Sequence, residues 1–159
     1  MSKQTDRLNV DRREALQFVG GGVVAALLAG TLATEAKADM KLVNKAINRL
    51  VGDGAMKEGR IKLDLPDIAE NGRTVPVGVT VESPMTDGDH VKSLHLFAEK
   101  NPAADVASIH FSPAMGEAKA ALRMRLGGTQ NVIAVAEMSD GSLYTSKQQV
   151  KVTIGGCGG

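Results

Sequence analysis

A chain of 159 residues with 19 Lys plus Arg against 18 Asp plus Glu has the length of a single domain and no charge excess with which to hold a polyanion or an anionic membrane surface. Aromatic residues make up only 3% and Trp is absent, so base stacking and a large aromatic-lined ligand pocket are poorly supplied. No nucleic-acid partner is expected, and the core must come from Val, Ile, Leu, Ala and Met.

The first 38 residues read differently from the rest. Arg12 and Arg13 precede an apolar run, Phe18 to Leu32, that holds four glycines and leads to Ala36-Lys37-Ala38. That is the layout of a signal peptide of twin-arginine character, with cleavage after Ala38; a general secretory signal is the alternative. The run is short for a membrane span, which needs about 20 residues, so the mature form is expected in the periplasm with no membrane anchor. Removing five basic and four acidic residues with this segment leaves 14 of each, a formally neutral domain.

From Met40 to Val51, Leu42 and Val43, Ala46 and Ile47, then Leu50 and Val51 recur every four residues, which predicts a helix with one buried face. Gly52 and Gly54 end it. The period then changes to two: Ile61, Leu63 and Leu65 alternate with polar residues, as do Val75, Val77, Val79 and Val81, the pattern of half-buried strands. Pro76 has no amide hydrogen, which predicts a sheet edge or a bulge for its strand. Further strands are predicted over 91–98, 106–111, 119–126, 131–138 and 143–154. Asn71-Gly72, Asp87-Gly88, Asn101-Pro102, Ser112-Pro113, Gly127-Gly128 and Asp140-Gly141 punctuate them, the last as a hairpin turn. Seven short strands with no second helical pattern predict an all-β fold, an immunoglobulin-like antiparallel sandwich over 39–154 carrying a short N-terminal helix.

The chain has one cysteine, Cys157, framed as Gly155-Gly156-Cys157-Gly158-Gly159. A glycine-rich pentapeptide has wide backbone freedom, so residues 155–159 read as a flexible arm reaching at most about 16 Å beyond the last strand. No base is tied to the sulfur, and a thiol of ordinary pKa, about 8.5, is expected. Pairing between chains through an odd cysteine and a glycine tail with an incidental cysteine stay open on these residues alone. His90, His95 and His110 show no ligand spacing with a second cysteine, so no metal site or cofactor is expected. No Ser-His-Asp spacing or phosphate-binding glycine loop stands out, so no catalytic residue is assigned.

The Gly155 to Gly159 terminus resembles the SoxY family of sulfur-oxidation carriers. So do Leu63-Asp64-Leu65-Pro66, Asn71-Gly72 with Thr74 to Val77, Val81 to Met85, Phe97 to Pro102 and Ala136 to Gly141. The resemblance implies a carrier without catalysis of its own, holding sulfur intermediates derived from thiosulfate covalently on Cys157. It also implies a SoxZ-like second subunit forming a heterodimer, a haem enzyme that loads the thiol, a hydrolase that releases sulfate and, in some organisms, a sulfane dehydrogenase. Two other classes compete: a ubiquitin-like sulfur-transfer protein using Gly158-Gly159 as a thiocarboxylate, which requires a helix after its first hairpin, and a structural sandwich without chemistry.

Overall fold

The computed structural model describes residues 32–154, with side chains from residue 40 onward. The chain divides between Ala38 and Asp39, and the second unit is the β-sandwich. Helix α1 (Leu32–Val51) is followed by β1 (Met56–Glu58), β2 (Ile61–Asp64), β3 (Ile68–Asn71), β4 (Val75–Val81), β5 (Val91–Ala98), β6 (Asp105–His110), β7 (Ala118–Met124), β8 (Gln130–Met138) and β9 (Leu143–Ile154). The larger sheet has the order β1-β9-β8-β5-β6 with β3 also on β9; the smaller is β2-β4-β7. This is the predicted immunoglobulin-like sandwich. Among the described residues the one α-helix precedes every strand, unlike a ubiquitin-like order, and none is long and apolar enough to cross a membrane.

Alternation builds the core. Val75, Val77, Val79 and Val81 all point from β4 into the space between the sheets and are buried, while Pro76 faces out. Leu94, Leu96 and Ala98 from β5 and Val132, Ala134, Ala136 and Met138 from β8 meet them. The other faces of β5 and β8 are covered as well. Val43, Ala46 and Ile47 of α1 pack on Phe97, Ile133 and Val135. A strand covered on both sides loses the in-out alternation, which is why β8 reads as a continuous apolar run from Val132 to Ala136 and β5 is buried along nearly its whole length, whereas β4 alternates.

Local signals set the joints. Gly52 takes φ of 81° and donates its N–H to the Asn48 carbonyl at 3.1 Å, closing α1 as a left-handed cap. At the β8–β9 hairpin Gly141 also has positive φ, and the Asp140 carboxylate accepts the Ser142 N–H at 2.9 Å. Asn71 makes the corresponding turn with the Arg73 N–H.

Two features differ from expectation. The nine strands among the described residues include β1 and β3, both short and both parallel to β9, so the larger sheet is mixed at that edge although every other pairing there is antiparallel. Neither has an alternating pattern long enough to signal a strand: Met56 and Ile68 are exposed. Pro76 lies in the central strand of its sheet, not an edge strand. The conflict is only apparent, because β2 ends with Asp64 opposite Gly78, and beyond that point β4 has β7 alone as a neighbour.

Candidate functional site

Cys157 and the framing glycines, Gly155, Gly156, Gly158 and Gly159, lie outside the described residues. What the structure gives is their root. The last stretch of backbone before the arm is tied to β3 and its flanks: Lys151 N–H donates to the Asp67 carbonyl at 2.9 Å, Thr153 Oγ1 to the Glu70 carbonyl at 2.8 Å, and Gly72 N–H to the Ile154 carbonyl at 2.8 Å. On the opposite side Val152 N–H donates to Thr129 Oγ1 at 3.0 Å. Ile154 is thus held as part of a sheet, although its side chain is 66% exposed. The unit that anchors it, β3, was not anticipated; its four residues carry no signal apart from the Asn71-Gly72 turn that follows.

A second polar constellation lies on the outer face of the larger sheet. Register places His95 opposite Ser108 on β6 and Ser93 opposite both His110 and Glu137. Ser108 Oγ and His95 Nδ1 are 2.8 Å apart, His95 Nε2 and Ser93 Oγ 3.0 Å, and Ser93 Oγ donates to Glu137 Oε2 at 3.4 Å. Since the Ser93 hydrogen goes to the carboxylate, Ser93 accepts from Nε2–H and Ser108 donates to Nδ1, which is the pattern of a neutral imidazole. Burial pushes the His95 pKa below its ordinary value; His110, whose ring meets it edge-on with centroids 6.3 Å apart, adds to this, and Glu137 opposes it. Lys92 pairs with Glu137. The cleft they line, about 510 Å³, sits where β8 ends, whereas the arm leaves beyond the start of β8. The two sites are therefore at opposite ends of the sheet. Sequence reasoning placed His95 and His110 in strands and took the histidines as solvated or packed without bringing the two together; their meeting depends on strand register. His90 is a loop residue whose Nδ1 contacts the Thr86 carbonyl at 3.0 Å. Among the described residues no group of three or more His, Cys, Asp or Glu is placed to hold a metal ion.

Comparisons with known proteins place this geometry in a family. The chain is similar to the SoxY sulfur carrier protein of Chlorobium limicola f thiosulfatophilum, with 33% identity and a TM-score of 0.62 over 72% of this chain and 99% of that one. Superoxide reductases share the fold alone: neelaredoxin from Ignicoccus hospitalis is 17% identical with a TM-score of 0.52 over 59% of this chain and 80% of that one. A putative superoxide reductase from Thermotoga maritima is 19% identical with a TM-score of 0.53 over 61% and 93%. No curated protein sequence matches the chain. The family model described as sulfur oxidation protein SoxY matches residues 47–157, from the buried face of α1 through the whole sandwich to the cysteine itself. The chain belongs to the SoxY family.

Proposed function

We propose that this protein is a sulfur carrier of thiosulfate oxidation that holds its cargo covalently on Cys157 and catalyses nothing by itself. The observation that carries the reading is the family match that spans the sandwich and ends at Cys157, together with the carrier title of its relative in Chlorobium. The fixed root at Ile154 supports it, since a held strand end followed by a glycine-framed thiol confines the sulfur to a short radius while leaving it free to enter a partner's cleft.

Each step of the cycle conserves atoms and electrons. The thiolate of Cys157 joins the outer sulfur of thiosulfate to give Cys157–S–S–SO₃⁻, and the two electrons released pass to a haem partner. A hydrolase adds water, releasing sulfate and a proton and leaving the persulfide Cys157–S–SH. Where a sulfane dehydrogenase exists, three waters supply oxygen to that remaining sulfur, giving Cys157–S–SO₃⁻ and seven protons, and the six electrons released pass to the dehydrogenase. Oxidising power and positioning come from the partners, as an ordinary thiol requires. A SoxZ-like subunit completes the carrier as a heterodimer, and the N-terminal segment directs it to the periplasm.

Replacement Cys157→Ser tests this. Thiosulfate-dependent turnover by the reconstituted system should be abolished while stability stays within about 0.5 kcal/mol of wild type, the range of a surface substitution. Turnover that survives would overturn the assignment, and unfolding would make the cysteine structural.

A further inference from the structure

The β3–β4 turn brings three cations to the root of the arm. Gly72 N–H donates to the Ile154 carbonyl at 2.8 Å, while the Gly72 carbonyl accepts the Leu126 N–H at 2.7 Å. Gly72 thus ties the end of β9 to the end of β7. Arg73 follows Gly72 in this turn; Arg123 stands near the end of β7 and Arg125 directly after it, flanking Met124, which pairs with Val75. All three arginines are exposed. The ion pairs among the described residues are Arg49–Asp105, Arg60–Asp89 and Lys92–Glu137, so none of the three has a carboxylate partner there.

Beside them runs a groove of about 640 Å³. It exists because β2 stops at Asp64, leaving the first half of β4 open on one side. Its floor is small, with Gly78 beside Ala121; Arg123 stands opposite Pro76 toward the arm, and Asp64 lies at the far end. The groove is therefore electrically polarised, cationic at the arm's root and anionic away from it.

We propose that the arginine cradle of Arg73, Arg123 and Arg125 is the resting dock of the chain's own arm, residues 155–159, and that it holds the sulfonate end of the adduct on Cys157 between transfers. This rests on the carrier reading. Cys157 is three residues beyond Ile154, about 10 Å of extended chain, and Pro76 is only four residues from the Gly72 that holds Ile154. The arm offers four glycines to a small-residue floor. A sulfonate presents the planar guanidinium with oxygens it binds in bidentate fashion. Asp64 repels that group, so the cargo stays at the arginine end of the groove. Exposed guanidinium groups hold an anion weakly, which suits a dock that must release its cargo to every partner.

The test uses the full chain loaded chemically. The Cys157 thiolate attacks an inner sulfur of tetrathionate, giving Cys157–S–S–SO₃⁻ and expelling thiosulfate, and intact mass confirms complete loading. Amide and arginine side-chain NMR signals are compared for the free, loaded and iodoacetamide-capped protein. The loaded form should shift signals at residues 73–77 and 123–126, the neutral cap should not, and high salt should reverse the shifts. In R73Q/R123Q/R125Q, release of the adduct by an uncharged trialkylphosphine, which with one water yields the Cys157 thiol, phosphine oxide, thiosulfate and a proton, should be about two- to fivefold faster than in wild type. Complete loading without those shifts, or with equal release rates, would overturn the dock and leave the carrier reading standing. The carrier reading itself fails on a different result, the absence of any adduct on protein taken from thiosulfate-oxidising cells.

Discussion

At the scale of single residues, His95 links burial to pH. Its ring is 4% exposed, and both nitrogens are occupied by serine hydroxyls. The groups facing it are His110 from β6 and Glu137 from β8, with Lys92 paired to that carboxylate. The folded-state pKa lies below the ordinary value of 6.5, so the unfolded chain takes up the proton first on acidification. The neutral ring's contribution to stability is complete above about pH 6.5, declines as pH falls toward the lowered folded pKa, and is constant below it. A denaturation midpoint measured from pH 7.5 down to 5 should fall in wild type and fall less in His95→Asn; equal slopes would contradict the burial of a neutral ring. Neither this cluster nor the arginine cradle was legible in the sequence. Ser93, Ser108 and Glu137 carry no signal where they stand in the chain, and Arg73 lies 50 residues from Arg123; register across two sheets brings such groups together. Cys157, which lies outside the described residues, stands out in the sequence because its neighbours there mark it.

At the scale of elements, legibility followed period and length. The four-residue repeat located the buried face of α1 at Val43, Ala46 and Ile47, although Leu42 and Leu50 of the same repeat are exposed, and the two-residue repeat located β4 with its inward valines. The runs 91–98 and 143–154 became β5 and β9 with the same limits. What failed were β1 and β3, of three and four residues. Their hydrogen bonds come from β9 and their side chains are largely exposed, so no hydrophobic pattern records them. The helix contributes a second small core outside the sandwich, and Ile47 is its most direct probe. Buried at 4% against the Phe97 and Ile133 cluster, it should cost about 2–5 kcal/mol when replaced by Ala, measured by urea denaturation. A loss below about 0.5 kcal/mol, the surface range, would show that the helix is not part of the cooperative unit.

At the scale of the whole molecule, the sandwich is a rigid mount: β9 crosses the sheet from Leu143 and ends fixed on β3 at Ile154. In the proposed cycle, reach beyond it is assigned to the glycines. Replacing Gly155 and Gly156 by Pro, which fixes φ near −65° and adds bulk, should slow loading and unloading by the partner enzymes without altering alkylation of Cys157 by a small reagent. Equal single-turnover loading rates in wild type and variant would remove the role given to arm freedom. Covalent carriage itself is tested most directly by peptide mass mapping of the native protein, purified without reductant from cells oxidising thiosulfate. The expected result is a sulfur adduct on the peptide containing Cys157, a thiosulfonate or a persulfide, removed by dithiothreitol. A free Cys157 in every molecule, or a thiocarboxylate on Gly159 in place of the adduct, would contradict it.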